Sequence, residues 1–281
     1  MKKIALNILL AVSLCTPDSL HADENLFGFV YGAETLPAGH TDVYQFMTLR
    51  TGKDAGGYYG WDFETEVEYG FTDRFQGSIS IENRYIRNKN VPGLDDTSHF
   101  TFGGVAATGK YRILSPFKDG IGLALRLEGG FVYHDEVDGL LEHDVYIAPT
   151  VILQKNFLDD TLVAELNLGT EWAWGKDPAE QYYKEFAAQG GFGISYRFAR
   201  NWSAGVETHF RAEWPMFNLF HNFEHVVVYA GPTVHYAGKK WWATLNYDYQ
   251  VYGTGVDEIS AHQTFAEETR HVFRLKVGFN F

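Results

Sequence analysis

Twelve separate runs between residues 41 and 281 alternate polar with apolar side chains, and nothing else in the chain constrains its fold as strongly. A β-strand turns successive side chains to opposite faces, so each run reads as a strand with one apolar and one polar side. The runs fall at roughly 42–51, 58–69, 75–87, 100–113, 121–134, 144–154, 161–174, 184–198, 202–214, 225–236, 241–252 and 270–281. Strand plus connection takes about 20 residues, which suits membrane strands of about 9–11 residues that extend beyond a bilayer. In the second run Tyr59, Trp61, Phe63, Thr65, Val67 and Tyr69 share one parity, against Asp62, Glu64, Glu66 and Glu68 on the other. In the fifth, Leu123, Leu125, Leu127 and Phe131 oppose Arg126 and Glu128. In the ninth, Trp202, Ala204, Val206, Phe210 and Trp214 oppose Glu207, His209, Arg211 and Glu213. A Lys or Arg turned to lipid near mid-bilayer costs about 2–4 kcal/mol. The charged parity therefore belongs inside a closed wall. The expected fold is all-β: a transmembrane antiparallel up-and-down barrel of about 12 strands, with 10 to 14 compatible with the run boundaries.

The tryptophans fit the same arrangement. Trp61, Trp172, Trp174, Trp202, Trp214 and Trp241 sit near run ends with outward parity, as in the aromatic girdles at the two membrane interfaces. Trp242 alone has inward parity. A soluble sandwich with an aromatic core explains neither these positions nor the charged inner face. The last run, RHVFRLKVGFNF, places Phe273, Leu275, Val277, Phe279 and Phe281 on one parity. It resembles the C-terminal signal read by the bacterial outer-membrane assembly machinery, with Phe279 and Phe281 as its aromatic positions.

The N-terminus carries Lys2 and Lys3, an apolar stretch from Ile4 to Leu14, and Leu20-His21-Ala22 before Asp23. This reads as a secretory signal over 1–22, too short to span a bilayer as a permanent helix. The only cysteine, Cys15, lies within it; Leu14 beside it is bulkier than a lipid-attachment site normally takes. The mature chain then has no disulfide and no cysteine-based metal site. The net charge of −13 argues against nucleic acid, which needs a basic surface. The domain reading is a signal over 1–22, a periplasmic N-terminal segment or partial plug over 23–40, and one barrel over 41–281.

Connections alternate in length. Gly70–Arg74, Ser115–Gly120, Lys155–Asp160, Ala199–Asn201 and Ala237–Lys240 are short; Asn88–His99, His134–His143, Pro215–Glu224 and Gly253–Thr269 are long. Short turns face the periplasm in outer-membrane barrels. The expectation is a Gram-negative outer-membrane location with both termini periplasmic. Expected partners are outer-membrane lipid and lipopolysaccharide, with the assembly machinery at the C-terminal strand.

YGFTDRFQ at Tyr69–Gln76 looks like the periplasmic turn of many uncharacterised proteobacterial outer-membrane barrels. GAETLPAG at Gly32–Gly39 is similar to a segment early in such chains. Pro149-Thr150-Val151 and Pro232-Thr233-Val234 recur in matching strand contexts. Together these resemble a family of outer-membrane barrels of unknown function, related to transporter-like barrels such as the MetA-like ones of phenol-degradation clusters. The resemblance implies location, fold and transport, and carries over no catalytic or binding residue.

Chemistry, if any, belongs to the inner parity. The acidic residues expected there include Asp62, Glu64, Glu66, Glu68, Glu165, Glu171 and Glu207. The basic ones include Arg84, Lys110, Arg112, Arg126, Arg211, Arg274 and Lys276, with Arg197. A hairpin around GFTDR sets Glu68 near Gln76, Glu66 near Ser78, Glu64 near Ser80 and Asp62 near Glu82, with no base among those neighbours. Arg274 and Lys276, one strand beyond, are then expected as counter-charges. An acidic wall in an aqueous pore favours cations or polar solutes with a cationic group. A closed structural or surface-binding barrel is the alternative.

His221-Asn222-Phe223-Glu224-His225 matches the H-x-x-E-H zinc-protease string, but that motif needs a helix and here runs into a strand. His221, Glu224 and His225 remain a candidate loop metal set; otherwise neither metal nor cofactor is expected. Ser98-His99 and Ser260-Ala261-His262 supply the residue types of a rim lipid hydrolase without its His-x-Ser spacing on a lipid-facing strand. The chain is expected to be a passive transporter of small polar solutes rather than an enzyme.

Overall fold

The computed structural model describes residues 25–176, 181–218, 223–255, 263–265 and 268–281. The signal segment, His221, Ser260 and His262 lie outside them. Twelve strands form one closed antiparallel barrel in sequence order, the last pairing back with the first. They are β1 (Thr41–Thr51), β2 (Gly57–Thr72), β3 (Phe75–Lys89), β4 (Thr97–Leu114), β5 (Gly122–His134), β6 (Leu141–Phe157), β7 (Leu162–Lys176), β8 (Tyr182–Ala199), β9 (Trp202–Pro215), β10 (His225–Ala237), β11 (Trp241–Gly255) and β12 (His271–Asn280). Several run longer than the alternation alone marks.

The outer surface is apolar. Ile79, Val67, Leu125, Leu127, Leu168, Val206, Leu245 and Phe273 all stand exposed on it, and the charged parity faces in. A wall greasy outside and polar within is stable against lipid, where closure leaves no unpaired strand edge. Trp174, Trp202 and Trp241 are exposed near strand ends. Trp172 and Trp214 both pack on Phe186 near the ends of their strands, and Trp61 stacks on Phe63. Trp242 points inward, is buried, and sits against Tyr44 and Phe46. Its indole fills the space where Gly278 of β12 lacks a side chain: a Cβ there would lie 2.3 Å from the ring.

Closure is made by β1 and β12, in register from Asp42 opposite Asn280 to Thr51 opposite His271. Phe279 faces outward, and Phe281 exchanges backbone hydrogen bonds with Thr41 just past the ladder. The two Pro-Thr-Val repeats take matching places. Pairing of β6 with β7 skips from Ile147 to Thr150 around Pro149, and that of β10 with β11 skips from Ala230 to Thr233 around Pro232. Proline has no N–H to give the ladder.

The β2–β3 hairpin corrects the expected register. β2 runs on to Thr72, so the turn is only Asp73-Arg74, closed by Thr72 Oγ1 accepting from the N–H groups of Arg74 and Phe75. A bulge between Gly70 and Thr72 accompanies it. Glu68 therefore faces Ser78, Glu66 faces Ser80, Glu64 faces Glu82 and Asp62 faces Arg84, two residues from the expected pairing.

Leu127, in the middle of β5, is half exposed on the outer face. Leu127→Arg is expected to destabilise the barrel by about 2–4 kcal/mol, read from urea unfolding in lipid vesicles.

Candidate functional site

The five short turns and both barrel termini lie at one end, here called the turn end; the long connections lie at the loop end. Residues 37–40 lie at the turn end beside Gly70 and Asp73, and residues 25–36 before them stay inside the barrel. They run through the lumen and follow the wall from β10 and β11 past β9, β7, β6 and β4 to β3. Phe27, Val30 and Ala33 are fully buried there. No recorded backbone–backbone hydrogen bond involves residues 25–36. Wall side chains meet that need instead. Glu207 accepts from the N–H groups of Gly28 (2.8 Å), Phe29 (3.1 Å) and Val30 (3.2 Å). Asn167 accepts from the Tyr31 N–H at 2.7 Å and donates to its carbonyl at 2.9 Å. Gln154 and Gln76 accept from Ala33 and Leu36. Gly28 is required by this closeness, because a Cβ would lie 2.8 Å from Glu207 and from Asn246.

Arg274 and Lys276 hold this segment, while the Arg274 charge also acts on Glu64 of β2, one of the acids it is expected to counter. Arg274 donates to the Gly28 carbonyl and to Thr48, with its guanidinium 4.0 Å from the Phe29 ring centre. Lys276 donates to Asn25 Oδ1 and the Phe27 carbonyl. Arg112 pairs with Glu34, which also accepts from Ser115. Lys110 reaches the Gly32 carbonyl. The Arg126 guanidinium lies over the Tyr31 ring at 4.5 Å. Glu165 is buried in the wall, and Arg197 donates to the Asp160 carbonyl in the β6–β7 turn.

Above the segment a cavity of about 540 Å³ extends along the lumen, from Glu68, Gln76 and Lys110 near the turn end to Tyr183, Glu185 and His225 near the loop end. Among the described residues, thirteen acidic and six basic side chains line it. The bases are engaged. Arg84 pairs with Glu82 (3.0 Å) and Asp62 (3.5 Å), and Arg126 with Glu128. Arg211 gathers Glu171 (2.9 Å), Glu185 (3.2 Å) and Glu213. Glu64 and Glu66 take hydrogen bonds from Ser80 and Ser78, and among the described residues no base lies within ion-pair distance of either. Glu64 also sits directly opposite Glu82, a like-charge pairing that strands ordinarily avoid.

Arg50 was absent from the inward bases read from the sequence. It holds Asp62 at 2.8 Å and donates to the Glu136 carbonyl at 2.7 Å. It thereby ties the β5–β6 loop inward over the loop end, helped by Tyr58 and by Arg84 at the His134 carbonyl. The Arg50 guanidinium also holds the Glu136 carboxyl well below the usual carboxylate range.

Two sequence motifs can be followed in part among the described residues, His221 of the first lying outside them. His225 opens β10 and faces Glu213 (3.5 Å) and Glu268 (3.8 Å), whereas Glu224 brings a carboxylate within 4.8 Å of Glu185 and Glu213. The two candidate ligands share Glu213 as a neighbour, and Glu224 joins acids that Arg211 already engages. Ser98 contacts Tyr85, while His99 contacts Thr97 and the Gly139 carbonyl, so no Ser–His pair forms there.

A family model of unknown function, DUF6662, matches residues 19–281. The chain belongs to this family. No curated protein matches it. Among solved structures, the fold is similar to the COG4313 outer membrane channel from Pseudomonas putida F1, with a TM-score of 0.62 and 12% identity over 89% of this chain and 98% of that one. The β domain of the Bordetella autotransporter BrkA gives 0.55 and 14% over 87% and 100%. The NanC porin gives 0.53 and 11% over 85% and 100%. This DUF6662 member thus has the fold of outer-membrane channel, porin and autotransporter β-domain barrels.

Glu207→Ala removes the acceptor of three consecutive buried N–H groups, each costing about 1–3 kcal/mol when left unmet. Amide exchange at Gly28, Phe29 and Val30 is expected to quicken at least about tenfold, with strand amides unchanged, read by hydrogen–deuterium exchange in micelles.

Proposed function

We propose that this DUF6662 member is a Gram-negative outer-membrane channel for passive passage of small polar solutes, with a preference for cations. On this reading the signal over 1–22 is removed on export, and the turn end and both termini face the periplasm. Outer-membrane lipid and lipopolysaccharide surround the apolar wall, and the assembly machinery reads β12 through Phe279 and Phe281. The observation that carries the proposal is the pair Glu64 and Glu66. Two lumen carboxylates with no base at ion-pair distance among the described residues, reached only at longer range by Arg274 and Arg126, stand in a cavity where acids outnumber bases about two to one. In a narrow low-dielectric passage, uncompensated carboxylates lower the barrier for a cation and raise it for an anion. Similarity to the COG4313 channel and the NanC porin supports the channel part of the reading, at the level of fold.

A second reading, a closed barrel acting through its loops, is favoured by the segment that occupies the turn-end half of the lumen. Planar-bilayer recording separates the two. The channel reading expects conductance with a cation-selective reversal potential in a salt gradient. The double variant Glu64→Gln/Glu66→Gln is expected to lower the cation-to-anion permeability ratio roughly twofold or more. Folded protein that fails to conduct overturns the channel reading in favour of the closed barrel, and folded protein that conducts but prefers anions overturns the cation preference.

A further inference from the structure

The lumen wall treats residues 25–36 as it would treat a bound ligand. Twelve hydrogen bonds from wall side chains to the main chain of this segment are recorded among the described residues. They come from eight strands: Thr244 to the Asn25 carbonyl, Thr233 to Leu26, Lys276 to Phe27, Arg274 to Gly28, Lys110 to Gly32, the three bonds of Glu207, the two of Asn167, and those of Gln154 and Gln76. Asn167 bonds both the N–H and the carbonyl of Tyr31, as a neighbouring strand would. Three successive N–H groups converge on one carboxylate, the arrangement by which a main chain grips an anion. Specific side-chain recognition is sparse beside this. Glu34 meets Arg112 and Ser115, and the aromatic rings of Phe29 and Tyr31 lie against Arg274 and Arg126. Among the remaining buried side chains, Leu26, Phe27 and Val30 cluster with Val163 and Ala33 with Ala124 and Ile152, and Phe27 and Val30 fit closely over the wall glycines Gly193 and Gly191.

We infer that the turn-end half of the lumen wall is a binding site for an extended peptide, read through its main chain, and that residues 25–36 occupy it in cis. The ligand class is a polypeptide segment with apolar side chains and a glycine where the wall closes in at Glu207 and Asn246. The site does not depend on the barrel conducting.

A protease site inserted between Ala38 and Gly39, both exposed, lets the intact chain fold before the tether is cut. After cleavage in micelles, the segment is a separate peptide. Retention of the severed segment through gel filtration, or rebinding of a synthetic labelled peptide of residues 25–36 read by fluorescence anisotropy, is the expected result. A peptide with Leu26, Phe29 and Tyr31 permuted among themselves, leaving Phe27 and Val30 over their wall glycines, is expected to compete within about tenfold. One N-methylated at Phe29 and Val30 loses two of the N–H groups that Glu207 accepts, and is expected to compete roughly a hundredfold more weakly. In a Glu207→Ala barrel that difference should shrink, as a double-mutant cycle requires. Release of the segment without rebinding, equal competition by the N-methylated peptide, or failure of the permuted one would each overturn the inference. The readout is binding, so a barrel that binds yet passes no current sinks the channel reading and leaves this one standing.

Discussion

Every polar main-chain group held away from water must find a partner, and the rest of this structure follows from that requirement. In lipid, the twelve strands meet it only by closing on themselves, which makes the β1–β12 seam as necessary as any core contact. Closure fixes the inner and outer parities, and the outer one must then be apolar. The requirement does not stop at the wall. Residues 25–36 lie inside the lumen without a ladder of their own, so their N–H and carbonyl groups fall to side chains of the wall. That is why so many inward residues here are Asn, Gln, Thr, Glu and Lys at defined heights, rather than a uniform polar lining.

The charges divide along the same line. Bases near the turn end, Arg274, Lys276, Lys110 and Arg112, are committed to the internal segment. Those farther along, Arg50, Arg84, Arg126 and Arg211, pair with wall acids and with the inward β5–β6 loop. Glu64 and Glu66 fall between the two sets. The acidity of the lumen cavity comes both from an excess of acids and from where the bases are spent.

The strands were legible because their outer face contrasts sharply with the inner one, as in β2, β5 and β9. The contrast fails in β1, whose inward side carries Tyr44 and Phe46 beside Asp42 and Arg50. With aromatics on the charged parity, Arg50 had no pattern to mark it as inward. The β2–β3 register was missed for a different reason. YGFTDRF reads equally well as a five-residue or a two-residue turn, and the Thr72 hydroxyl that selects the tighter one leaves no periodic trace. The path of residues 25–36 was hidden for a third. Its partners are main-chain groups, which look alike in every sequence, and its anchors lie up to 251 positions away.

That separation bears on the order in which the molecule is built. The segment is the first described stretch of the chain, yet Lys276 and Arg274, which hold it, stand in the last strand. Its resting place comes into being only when β12 meets β1 and the cylinder shuts. Contacts this distant in sequence form late, because the loop they close is nearly the whole chain. The nine described wall side chains that bond its main chain thus gather around the chain's own beginning only once that seam is shut, so the first described residues depend for their place on the last strand.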